Sequence, residues 1–114
     1  MGKFALFENF SISNEDSFDE SLWPLKIKLN PGKALNIISE YLQKKELQEM
    51  RVYADNNEIY VNEGDYQITY HLLLEQGGKT IVGVSVYGKR KRGKTRNKLR
   101  FLHLELKEIL KKYI

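Results

Sequence analysis

Residues Gly88 to Arg100 read GKRKRGKTRNKLR, and two kinds of phosphate chemistry are written into them. Eight of these side chains are basic and none is acidic: Lys89, Arg90, Lys91, Arg92, Lys94, Arg96, Lys98 and Arg100. The formal net charge of the 114-residue chain is +4, so everything outside the stretch sums to −4. One positive patch therefore stands on an otherwise acidic chain. Clustered cations neutralise backbone phosphates and release counterions, which gives sequence-independent affinity for nucleic acid. If about four to six of them made contact, log K would fall with log salt at a slope of about −3 to −5. Arg90, Arg92 and Arg96 add planar, bidentate phosphate geometry that lysine lacks.

The second chemistry is a nucleotide loop. Gly88 to Thr95 match G-x-x-x-x-G-K-T. In that motif glycines such as Gly88 and Gly93 let backbone N–H groups wrap phosphates, while Lys94 and Thr95 would serve the terminal phosphate and Mg²⁺. The local context fits, because a strand is expected before the stretch and a helix after it. The wider context does not. Only 19 residues follow Thr95. The preceding strands read as antiparallel, whereas that fold needs parallel strands joined by crossovers. No apolar strand ends in an Asp suited to Mg²⁺, and four consecutive cations at Lys89 to Arg92 would repel one another in a tight loop. Nucleotide binding at 88–95 is thus the remote alternative to a polymer's phosphate backbone.

Tyrosines supply a second contact type. Tyr53, Tyr60 and Tyr87, with His71, fall on one parity of the expected strands, where aromatic rings can stack on unpaired bases. Tyr87 abuts the basic run. The competing explanation is that Tyr is simply a good strand former. The basic run has an internal competitor too: Glu15, Asp16, Asp19 and Glu20 form a complementary acidic segment. Lys98 and Arg100 near a helix start oppose the helix dipole, a cost that an arriving phosphate would relieve. No base-reading motif is visible, so binding independent of sequence is expected.

Elsewhere the residue types argue against catalysis. There is no cysteine, hence no disulfide, thiol nucleophile or thiolate metal site. His71 and His103 are the only histidines and stand outside metal-ligand spacing. His103 falls beside the apolar stripe of the last helix, where a core or boundary role is expected. Turn carboxylates such as Asp55, Glu58, Glu63 and Asp65 suit local backbone bonding. A non-enzymatic protein without cofactor or metal is expected. No apolar run approaches the roughly 20 residues of a membrane helix, and Glu8 and Asn9 interrupt any signal-peptide core. A cytoplasmic location without membrane contact follows as the expectation.

The elements that must position these residues form one domain, 1–114. Hydrophobic residues at 41% and charged residues at 30% are ordinary for a globular chain. Lys3 to Ile12 suits an extra N-terminal strand. Trp23 to Leu29 alternates as a half-buried strand. Asn30-Pro31 marks a helix start, followed by Ala34, Ile37, Ile38, Tyr41 and Leu42 at helical spacing. Strands at 51–54, 58–62, 66–75 and 80–87 are separated by turn residues, which implies an antiparallel meander. One face collects Val52, Ile59, Val61, Ile68, Tyr70, Leu72, Leu74, Val82, Val84 and Val86. The other collects Arg51, Tyr53, Tyr60, Thr69, His71 and Tyr87. A last helix at 98–113 carries Leu99, Leu102, Leu106, Ile109 and Tyr113.

The apolar sheet face needs cover, and two amphipathic helices supply it. The expected class is α+β, in the order β-α-β-β-β-β-α, with both helices on one face of an antiparallel sheet. In element order this is similar to the helix-grip and TATA-binding-protein-like folds. The order does not fix function. Two other readings stand beside nucleic-acid binding. A long helix over a curved sheet can enclose an apolar ligand pocket, with Phe4, Phe7 and Phe10 as lining. Phe101 and Leu104 are surplus to a single helix seam, which allows a homodimer through helix 98–113.

Overall fold

The computed structural model describes residues 10–12, 23–45, 49–75, 77–88 and 94–114. Its strands are β1 (Phe10–Ile12), β2 (Leu25–Ile27), β3 (Glu49–Tyr53), β4 (Glu58–Asn62), β5 (Tyr66–Leu74) and β6 (Thr80–Gly88). Helix α1 (Pro31–Gln43) follows β2, and α2 (Thr95–Ile109) follows β6. The class is α+β and the order is the expected one; β1 is the end of the N-terminal strand expected over Lys3 to Ile12, whose residues 3–9 lie outside the described residues.

The sheet runs β1-β6-β5-β4-β3, and every ladder is antiparallel. β2 shares the outer side of β6 with β1, facing residues 80–82 while β1 faces 85–87. Turn chemistry explains the meander. Gly77 and Gly78 both hold positive φ, 89° and 80°, between β5 and β6, a conformation that costs a residue with a Cβ. Glu75 N–H donates to the Lys79 carbonyl to close that turn. A short 3₁₀ turn, Ala54–Asn56, precedes a left-handed Asn57 at the entry to β4.

Strand parity sorts the faces. Ile59, Val61, Ile68, Tyr70, Leu72, Val82, Val84 and Val86 are buried together under both helices. α1 lies on β4 and β5, and α2 on β6 and β1. Two residues of the expected core side depart from it. Leu74 is 66% exposed at the end of β5, and Val52 is exposed on the edge strand β3.

Helix α1 begins as its sequence directs. The Asn30 side chain accepts the Lys33 N–H at 2.8 Å, and Pro31 occupies the first turn. Its buried stripe is Ala34, Leu35, Ile38, Ser39 and Leu42, so Leu35 enters the core and Ile37 and Tyr41 sit at its margin. Helix α2 begins at Thr95, three residues before the expected Lys98, with Thr95 itself buried. It buries Leu99, Leu102, His103 and Leu106. The chain then tightens into a 3₁₀ turn, Lys111–Tyr113, whose Tyr113 carbonyl accepts the Lys28 N–H at 2.6 Å. That bond ties the end of α2 to β2. Thr80 Oγ1 donates to the Leu29 carbonyl and ties β6 to the entry of α1.

Candidate nucleic-acid interface

The basic stretch leaves the sheet at Gly88, which is buried and paired with Tyr66 at the end of β6. Lys89, Arg90, Lys91, Arg92 and Gly93 lie outside the described residues, as does the acidic segment 15–20. Gly88 itself lies at the end of the sheet that holds the β4–β5 turn. For a nucleotide loop the context is wrong: β6 runs antiparallel to every strand it pairs with. Gly88 is held in the ladder rather than free to wrap a phosphate.

The four described cations of the stretch divide into different environments. Lys94 and Arg96 are exposed at the start of α2, a start that has no acid in its first turn and no side-chain cap. Lys98 is committed elsewhere. Its ammonium lies 2.6 Å from Glu63 Oε2, with the two side chains only 22% and 20% exposed. It also stands 5.4 Å from the Tyr66 ring and 5.8 Å from the Phe101 ring. Lys98 is expected among the phosphate contacts from its place in the run, whereas in the fold its charge is met by Glu63 of the β4–β5 turn. Arg100 is half-buried and donates to Asn97 Oδ1 at 3.3 Å.

The sheet face opposite the helices carries the tyrosines. Register puts Arg51, Tyr60, Thr69 and Ser85 in one row, and Glu49, Asn62, Gln67 and Tyr87 in the next. Tyr53, Tyr60 and Tyr87 are each 41% exposed. Tyr53 and Tyr60 meet edge to face, with centroids 5.1 Å apart and planes at 81°. Between β3 and β5 lies a shallow groove of about 470 Å³, lined by Arg51, Tyr53, Tyr60, Asn62, Gln67 and Thr69 among others. Arg51 pairs with Glu49 at 2.8 Å in the same groove. Glu58 beside the Tyr60 hydroxyl raises the pKa of that phenol, so it stays protonated.

The expected tyrosine set is thus only partly one site. Tyr53 and Tyr60 touch. Tyr87 is two strands from Tyr60, about 10 Å at normal strand spacing, and faces Gln67 across the ladder. His71 stands opposite Gly83 and Glu58, half-buried, and its Nε2 has no hydrogen-bond partner among the described residues. Burial lowers its pKa, partly offset by Glu58. Asn62 and Gln67 were missed by the sequence reading, although strand parity alone places them on the tyrosine side. Among the described residues no group of three His, Asp or Glu side chains could hold a metal ion, and no helix is long and apolar enough to cross a membrane.

No protein-family model and no curated protein sequence matches the chain. One solved structure resembles it, the crystal structure of TTHA0849 from Thermus thermophilus. The two are 18% identical, with a TM-score of 0.43 over 78% of this chain and 89% of that one. Likeness at that level carries no functional information.

Proposed function

We propose that the protein binds nucleic acid without sequence preference and performs no catalysis. The cations of 88–100 other than Lys98, which Glu63 holds, meet phosphates, and tyrosines of the open sheet face stack on unpaired bases. One observation carries this reading: Tyr53, Tyr60 and Tyr87 are all exposed on the face that the helices leave bare, and β6 runs from that face directly into the basic connection. Lys94 and Arg96 add exposed charge at the start of α2, where the helix dipole also favours anions. The amide of Gln67 in the groove gives hydrogen-bonding capacity without a fixed code.

The deciding experiment is a salt-titrated binding assay against single- and double-stranded DNA and RNA. Affinity should fall with log salt at a slope of about −3 to −5. Replacing Lys89 to Arg92 with Ser should abolish binding. Tyr60→Ala and Tyr87→Ala should each weaken single-strand binding by roughly 1–3 kcal/mol while leaving the slope unchanged. Binding that survives the four-Ser variant unchanged would refute the proposal.

A second reading has its own observation. Phe101 and Leu104 are 60% and 55% exposed on the outer face of α2. They fit pairing with a second copy along the helix. Sedimentation should then show a dimer that Leu104→Glu converts to monomer. A wild-type protein monomeric at about 100 μM would remove this reading, since a stable interface gives affinity tighter than that.

A further inference from the structure

Lys28, Lys33 and Lys79 come from separate elements and meet at one cleft of about 580 Å³. Lys28 leaves β2, Lys33 stands in the first turn of α1, and Lys79 ends the turn between β5 and β6. All are exposed, and none pairs with an acid among the described residues. Glu75 opens the same turn, but its carboxylate lies 3.8 Å from the Lys26 ammonium. The chain outside 88–100 sums to −4, yet no described acid lines this cleft. Gathered like charges repel one another until a counter-charge arrives. Gly77 and Gly78 line the cleft with backbone alone, and a Cβ added to either would meet nothing within 4 Å. A ligand can therefore come close to the chain between the ammonium groups. The first turn of α1 holds no acid, so its dipole adds to the positive field without making the site by itself.

β6 relates this cluster to the basic run. Thr80, at its start, pairs with Ile27 and donates to the Leu29 carbonyl, which fixes Lys28 and Lys79 at that end. Gly88, at its other end, leads into the run. The nine residues of β6 span about 26 Å at the normal rise of a strand. Along the open face between the two ends, Tyr87 and Gln67 stand beside the run. Leu73, 63% exposed and opposite Ile81, stands beside the lysine cluster. A stacked single strand advances about 3.4 Å per nucleotide, so about eight nucleotides cover the distance.

We propose that Lys28, Lys33 and Lys79 form a second phosphate-contacting patch, which engages the same nucleic-acid strand after it has crossed the open face from the basic run. The inference rests on the nucleic-acid reading and extends it, because it fixes a direction along β6 and a minimum length. The patch adds to the run and does not replace it, since a cluster of three lysines alone holds a strand weakly.

Labelled oligo-dT of about four and about sixteen nucleotides, titrated by fluorescence anisotropy over a range of salt, tests the patch. The short oligomer covers only about 14 Å when stacked and stays on the run, whereas the long one reaches both ends. With Lys28, Lys33 and Lys79 all replaced by Gln, the long oligomer should bind at least about tenfold more weakly at low salt. Its salt slope should become shallower by about 2, from three contacts at about 0.7 each. The short oligomer should keep its affinity within about twofold. Arg at the same positions should preserve both the affinity and the slope of the long oligomer. Circular dichroism of each variant checks that the fold is intact. If the long oligomer binds the Gln variant as it binds the parent, or if the short one weakens equally, the second patch is refuted while the reading of 88–100 stands. If neither oligomer binds the parent chain, the nucleic-acid reading fails and the patch fails with it.

Discussion

Lys98 and Arg96 are two residues apart, carry the same charge and answer to different forces. The Lys98 ammonium sits between Glu63 and two aromatic rings in a partly buried pocket, so its removal strands a half-buried carboxylate. Lys98→Gln should cost about 1–2 kcal/mol of stability, between the limits for exposed and buried pairs, and should barely change the salt slope of binding. Arg96→Gln should do the reverse, with unchanged stability and a slope shallower by about 0.7–0.9. Urea unfolding and the salt titration, run on both variants, check the pair. A slope change in Lys98→Gln as large as that in Arg96→Gln would show that phosphate does capture Lys98. The two histidines make a second prediction at this scale. Burial holds both imidazoles below their ordinary value of 6.5. In the unfolded chain each returns to that value. Below about pH 6.5 the unfolded state therefore takes up protons that the folded state refuses, and stability falls as pH drops. Above that pH neither histidine matters. With both replaced by Gln, the fall in Tm between about pH 7 and pH 5 should be shallower than in the parent chain. An identical fall would mean that carboxylates alone set it.

Each helix is held by a different device, and the devices predict different failures. α1 relies on a local signal, the Asn30 cap on Lys33 N–H. Asn30→Ala should cost about 1 kcal/mol, read from the urea midpoint, while Asn30→Asp should cost almost nothing. α1 is also tied to α2 at Glu105, whose Oε2 accepts from the Tyr41 hydroxyl at 2.9 Å and from the Lys45 ammonium. Burial first, and Glu105 second, raise the Tyr41 pKa, so the donor keeps its proton. This contact explains why Tyr41, expected in the apolar stripe, lies at its margin: the hydroxyl reaches a carboxylate that the core could not supply. α2 has no comparable start. Lys94 gives no side-chain cap, and no acid follows in the first turn. The helix is fixed instead by burial of Leu99, Leu102, Leu106 and Leu110 and by its terminal bond to β2.

Across the whole molecule, the readable parts were those set by local periodicity. Alternation placed Ile59, Val61, Ile68 and Val84 on the core side because a strand has a period of two, whatever lies across from it. Its limit shows at Val52 and Leu74, which keep the parity but lie beyond the cover of the helices. The Lys98–Glu63 pair depends on chain segments that only the fold brings together, so no spacing rule could have announced it. The tyrosine set was half legible for the same reason: parity gave the face, but only the strand order shows Tyr87 set apart from the Tyr53–Tyr60 contact. Charge is a property of the whole chain and yields the last prediction. Eight cations in one stretch against a remainder of −4 make a strongly uneven field, which a polyanion would even out and added salt would screen. A ligand that binds only the folded state stabilises it by about 2.7 kcal/mol at a hundred times its Kd. For a chain of this size that is a Tm rise on the order of 10 °C. Thermal scans with oligo-dT should show such a rise at low salt and none at about 0.5 M salt, where the Debye length is only a few ångströms. The variant with Ser at 89–92 should show no rise at either salt. A shift that persists at high salt would mean that the oligonucleotide is held by something other than this patch.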